Sequence, residues 1–156
     1  MTREQTATTS PQGVSGMTRD EIVAFFERRQ ELYDDFDAPG LAADYADDVV
    51  VESPMAGVHT GRAAAEQALR ATFTAFLDLK MTTDAILVDG DRVAHFVTTE
   101  GTHLSDFMGV PASGKPFRLA VAFMYELKNR QIVRERRIYD FTGLLVQVGL
   151  LKAKPV

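Results

Sequence analysis

Cysteine is absent from all 156 residues. That excludes disulfides and thiol catalysis and fits a cytoplasmic protein. No apolar run approaches the roughly 20 residues that a membrane-spanning helix needs. Positive charge is in deficit, 17 Lys and Arg against 22 Asp and Glu for a net charge of −5. This is the wrong sign for a nucleic-acid surface. The basic cluster Arg134, Arg136 and Arg137 is too short and too interrupted to reverse it. No Gly-rich phosphate loop, nicotinamide fingerprint or metal-ligand cluster appears, so no cofactor and no metal is expected. His95 and His103 lie eight residues apart on one expected strand, about 26 Å at the rise of a strand, too far to share an ion. Residues 1–16 are polar and lack the apolar core of a secretory signal, so residues 1–17 read as a flexible tail. Residues 18–150 form one domain by length, and 151–156 a second tail.

What is present has two regimes. In the first half the period is helical. Thr18 and Glu21 form a capping box, and Ile22, Phe25, Phe26, Arg29, Leu32 and Tyr33 keep helical spacing over residues 19–34. Asp37 caps a short second helix with Pro39 in its first turn. Val49 to Val51 read as a strand halted by Pro54, and Thr60 as the cap of a third helix from Arg62 to about Phe76. Then the period becomes two. Met81–Val88, Arg92–His103, Pro116–Leu127 and Ile132–Tyr139 read as four meandering antiparallel strands, joined in part by the turns Asp89-Gly90 and Lys128-Asn129-Arg130. Asp140 caps a last helix, Phe141–Val148, that ends at Gly149. The class is α+β, a curved antiparallel sheet wrapped on about three helices, with a hollow at one end as the default ligand site.

The stretch Ile132 to Tyr139 carries four charges in a row inside an otherwise apolar third of the chain. Alternation puts Val133, Glu135, Arg137 and Tyr139 on one face. If that face lines the hollow, the hollow contains charge, and buried charge must be paired or used.

The order of elements, with Tyr45-Ala46-Asp47-Asp48-Val49-Val50-Val51-Glu52-Ser53-Pro54, Gly101-Thr102-His103, Gly109-Val110-Pro111-Ala112-Ser113-Gly114-Lys115 and Asp140 to Gly149, resembles the SnoaL-like polyketide cyclases. These share a superfamily with nuclear transport factor 2, ketosteroid isomerase, scytalone dehydratase and limonene epoxide hydrolase. The resemblance covers about residues 18–150 and implies a cone-shaped sheet, a pocket for a small hydrophobic carbonyl compound and a homodimer. It implies neither nucleic acid nor membrane as a partner. The family's catalytic Asp, three residues before the Asp-aromatic pair, falls on Arg137, and its assisting His on Phe123. The isomerase base falls on Ser53, and the epoxide hydrolase set on Val51, Ser53, Gly101, His103 and Arg137. An arginine offers only donors and cannot replace a carboxylate base.

The resemblance places His103 and Arg137 together as neutral imidazole and oxyanion holder, with Glu135 beside them as the catalytic group. Ser53, Val51, Thr99, Phe123, Tyr125 and Tyr139 would form the substrate walls, with Phe107 and Met108 at the rim. The plainer reading pairs Arg137 with Glu135 and leaves His103 on a loop. His59 reads as exposed loop, Asp106 as solvated or as an orienter of His103, and Gly109–Lys115 as a lid or a hairpin connection. The function expected is proton abstraction next to a carbonyl, in a cyclase, isomerase or lyase; the alternative is a non-catalytic binding or dimerisation domain.

Overall fold

The computed structural model describes residues 15–107 and 109–153. Helix α1 (Arg19–Asp34) opens on the capping box: Glu21 N–H donates to Thr18 Oγ1 (3.2 Å) and Thr18 N–H to Glu21 Oε2 (2.8 Å). Helix α2 (Ala38–Ala43) is capped by Asp37, which accepts from Gly40 N–H at 2.9 Å. Strand β1 (Tyr45–Ser53) follows, then a short edge strand β2 (Gly57–Thr60) where the sequence pattern predicts loop. Helix α3 spans Arg62–Ala75, and its cap is Gly61 rather than Thr60. The turn from β2 into α3 takes φ +96° at residue 61, a conformation that glycine adopts at little cost. Thr60 is thereby left as the last residue of the strand.

Four long strands come next: β3 (Lys80–Asp89), β4 (Arg92–Thr102), β5 (Pro116–Lys128) and β6 (Gln131–Tyr139). They meander antiparallel, as expected. The sheet then continues beyond them, in the order β2-β1-β6-β5-β4-β3, with β1 parallel to β6. Helix α4 (Phe141–Gln147) is capped by Asp140, which accepts from Gly143 N–H at 2.8 Å.

Alternation decides the two faces. On β5, Phe117, Leu119, Val121, Phe123, Tyr125 and Leu127 are buried, and the residues between them are exposed or half-buried. On β6 the alternation slips: a register shift between Glu126 and Leu127 brings Ile132 into the core together with Glu135. Helix α1 seats on the concave face through Phe26, whose ring lies 4.6 Å from Tyr125 and 5.8 Å from His95.

Residues 1–14 of the expected tail lie outside the described residues. Ser15 and Met17 are buried, because Arg130 N–H donates to Ser15 O at 2.7 Å and Arg130 Nη1 to Gly16 O at 3.1 Å. No helix among the described residues is long and apolar enough to cross a membrane.

Phe26 joins the helical layer to the sheet, so Phe26→Ala should lower the free energy of unfolding by about 3–5 kcal/mol. Urea denaturation measures this, and a loss below about 1 kcal/mol would show that α1 is seated by other contacts.

Candidate functional site

The site begins with a buried charge. Glu135 is 0% exposed, on the concave face of β6. It accepts from Arg137 Nε at 2.6 Å and from the Tyr45 hydroxyl at 2.5 Å. Burial alone would raise its pKa, but the Arg137 and Arg29 guanidiniums and these hydrogen bonds outweigh it and hold the carboxylate below its ordinary range. Arg29, buried on α1, donates to Leu41 O and Asp44 Oδ2, both at 2.9 Å, and lies over the Tyr45 ring at 5.2 Å. Asp44 in turn receives Arg28 at 2.6 Å on the surface. A chain of alternating charge therefore runs from the surface inward, Arg28, Asp44, Arg29, Glu135, Arg137. Burial would weaken Arg137 as a cation, but Glu135 more than offsets that and keeps it protonated.

Past Arg137 the core opens into a chamber of about 360 Å³ between β5, β6 and α3. Phe76, Leu79, Met81, Phe117, Leu119 and Val121 make most of its wall apolar. Its polar groups are few. The Arg137 guanidinium packs over the Phe123 ring at 5.7 Å, and among the described residues only its Nε is engaged. Ser53 and Tyr139 share a hydrogen bond of 3.1 Å. Thr99 lines the wall beside them. Tyr33 and His59 each bring a buried polar atom, Oη and Nε2, that has no partner among the described residues. Burial, and then the Glu135 charge, raise the Tyr33 pKa, so this phenol remains a donor.

Of the residues expected in the site, the chamber receives Arg137, Ser53, Thr99, Phe123, Tyr139 and Phe107. Glu135 sits behind Arg137. Val51 and Tyr125 are core residues and do not line the chamber. Met108 lies outside the described residues. His103 and Arg137 do not face each other. Strand β4 ends at Thr102, and His103 lines a second, adjoining cavity and not the chamber. The register pairs His95 with Phe123 and Phe123 with Arg137, so the histidine level with Arg137 is His95. His103 lies beyond the end of β4, next to the 113–115 segment. Asp106 accepts from Ala112 N–H at 3.2 Å and is not bonded to His103. The 109–115 segment is tied down by Gly114 N–H to His103 O (2.8 Å) and His103 N–H to Lys115 O (3.0 Å).

Two site residues escaped the sequence pattern. His59 is half-buried rather than exposed, because β2 pairs it with Val51 on the inner strand. No local signal marked it, because Gly57-Val58-His59-Thr60 becomes a strand only by pairing with β1. Tyr33 shares a helical face with Phe26 and Arg29, so its inward direction was readable from spacing. Among the described residues no three His, Asp or Glu side chains converge as a metal site would require.

His95 has a consequence for stability. Burial first, and the Arg29 cation second, press its pKa to about 4, and Thr83 Oγ1 lies 2.9 Å from its Nε2. Unfolded, it titrates near 6.5. Between those values the unfolded chain binds a proton that the fold refuses, so stability falls as pH drops from about 6.5 to 4. His95→Gln should remove that portion and leave the loss below about 4.5 that belongs to carboxylates such as Glu135. Urea midpoints at pH 7, 5.5 and 4.5 measure it; an unchanged profile in the variant would contradict the assignment.

The SnoaL-like polyketide cyclase family model matches residues 24–148. Among solved structures, TsrD from Streptomyces laurentii is 23% identical, with a TM-score of 0.77 over 86% of this chain and 99% of its own. AclR from Streptomyces galilaeus is 24% identical, TM-score 0.77, over 88% and 91%. A protein with a ketosteroid isomerase-like fold from Catenulispora acidiphila is 20% identical, TM-score 0.63, over 73% and 83%. No curated protein matches the sequence. With the family model covering most of its length and the curved sheet in place, the chain belongs to the SnoaL-like polyketide cyclase family.

Proposed function

We propose that the chamber binds a small, largely apolar carbonyl compound and moves a proton at the carbon next to that carbonyl, without a cofactor. Cyclases, isomerases and lyases share this step. One observation carries the reading: an apolar chamber presents a guanidinium anchored from behind by Glu135, together with two buried polar atoms, Tyr33 Oη and His59 Nε2, that have no partner among the described residues. Buried polar atoms are normally paired. A ligand carbonyl oxygen would pair the Tyr33 hydroxyl, and the acidic C–H beside it would meet the free lone pair of His59 Nε2.

The chemistry follows from the donor set. Among the described residues the lining contains one imidazole and no carboxylate. Imidazole is suited to proton transfer near neutral pH, so His59 takes the role the resemblance offered to His103. Its lone pair accepts the C–H proton, the C–H electrons form the carbon–carbon double bond, and the carbonyl electrons move onto oxygen. Arg137 and Tyr33 hold that enolate oxygen, the first as a fixed cation and the second as a phenol donor. Return of the proton elsewhere gives isomerisation; attack of the enolate carbon on a second carbonyl closes a ring. Ser53 and Tyr139 orient a second oxygen.

A second reading, a non-catalytic binding protein, is favoured by the arginine at position 137, where the resemblance would place a catalytic Asp. In either case the homodimer implied by the resemblance would use the outer sheet face. There Phe96, Ala122 and Ile138 stand in register, and Met124 is 50% exposed.

The test is exchange of the acidic C–H of aromatic and polycyclic ketones in D2O, followed by NMR, beside thermal shift with the same panel. Catalysis predicts stabilisation and exchange together, with His59→Gln slowing exchange by about 100-fold and leaving ketone affinity within about threefold. Stabilisation without exchange would establish the binding protein. Exchange undiminished in His59→Gln would remove the base.

A further inference from the structure

A second cavity, of about 240 Å³, lies beneath α4. Met55, Phe76, Phe107 and Leu144 line both it and the chamber, so the two adjoin. The rest of its wall is Val110, Phe141, Leu145, Val148 and Leu150, with one polar side chain among the described residues, His103. None of the polar groups that line the chamber lines it.

His103 is 2% exposed. Its Nδ1 accepts from Ser113 N–H at 3.3 Å, with Ser113 Oγ at 3.0 Å. A ring nitrogen that accepts an N–H carries a lone pair, so the ring proton resides on Nε2. That Nε2 is buried and has no partner among the described residues. Nδ1 is turned to the 113 loop, so Nε2 is on the opposite edge of a ring that lines the cavity.

We propose that this cavity is a second ligand site, for a one- or two-ring neutral compound bearing a single acceptor oxygen as a ketone, ester or ether. The donor at His103 Nε2 selects the acceptor, and the apolar walls take the rings. Among the described residues no cation lines the cavity, so a carboxylate would be buried without compensation. Among the described residues no side-chain acceptor lines it either, so a phenol would leave its own hydrogen without a side-chain partner. The site goes beyond the chemistry assigned to the chamber and does not rest on it.

The test uses full-length protein labelled with 15N-histidine, with 2-acetylnaphthalene, 2-ethylnaphthalene and 2-naphthoate as probes. The ketone should shift the His103 Nε2 resonance, and the hydrocarbon and the acid should not. The ketone should also bind this site about five- to tenfold more tightly than the hydrocarbon. Leu145→Trp, which fills this cavity alone, should abolish the His103 response and retain any binding in the chamber. Leu119→Trp, which fills the chamber alone, should retain the His103 response. An Nε2 resonance unmoved by saturating ketone, moved equally by 2-ethylnaphthalene, or still responsive in Leu145→Trp would overturn the proposal. Absence of any chamber binding in the unsubstituted protein, with the His103 response intact, would count against the chamber reading and leave this site standing.

Discussion

A carboxylate with no exposure to water sets the terms for this fold. Glu135 can remain ionised inside a dry sheet because Arg137 and the Tyr45 hydroxyl bond it and the Arg29 charge adds to their effect. Desolvation of each charge costs several kcal/mol, and excellent geometry has to offset it. The geometry comes from three elements at once: β6 supplies Glu135 and Arg137, β1 supplies Tyr45, and α1 supplies Arg29. A shift of α1 would break the Arg29–Asp44 ion pair and move the Arg29 charge away from Glu135. Phe26, packed on Tyr125 and His95, holds the same seat by apolar contact.

The pair also determines what the chamber can do. Glu135 engages Nε of Arg137 and so fixes the plane of the guanidinium over Phe123. The cation stays charged and points its remaining donors toward apolar space. In a low-dielectric wall such donors interact strongly with a developing negative charge. A carboxylate at position 137 would do the opposite, accepting a proton where this chain can only donate hydrogen bonds. That exchange of polarity moves the search for a base away from β6 and onto the edge strand, where His59 sits. Phe76 and Phe107 line both hollows, while the polar equipment of the chamber and His103 line different ones.

Much of this architecture was legible in residues. The caps at Thr18, Asp37 and Asp140 and the alternation of β5 and β6 follow from local chemistry, which acts over a few residues wherever the chain goes. The charged run from Arg134 to Arg137 already required either a pairing or a use, and the i, i+2 pair of Glu135 and Arg137 was one of two readings. What failed was register. Strands β3 and β4 are joined by a tight turn at Gly90, which fixes their pairing. Strands β4 and β5 are joined by residues 103–115, a connection too long for turn geometry to set register. No local pattern therefore distinguishes His95 from His103 as the partner of Phe123. The edge strand β2 failed for a related reason: four residues with one large apolar side chain carry little periodicity, and only pairing with β1 makes them a strand.

The most direct measurement is a double-mutant cycle on the buried pair, with Glu135→Leu, Arg137→Leu and both together, read as unfolding free energies in urea. The account predicts that either single change costs about 3–5 kcal/mol, because each strands a buried charge, and that the double change recovers most of that loss. If the single costs simply add, the two groups are not coupled and the claim that Glu135 holds Arg137 at the chamber is contradicted.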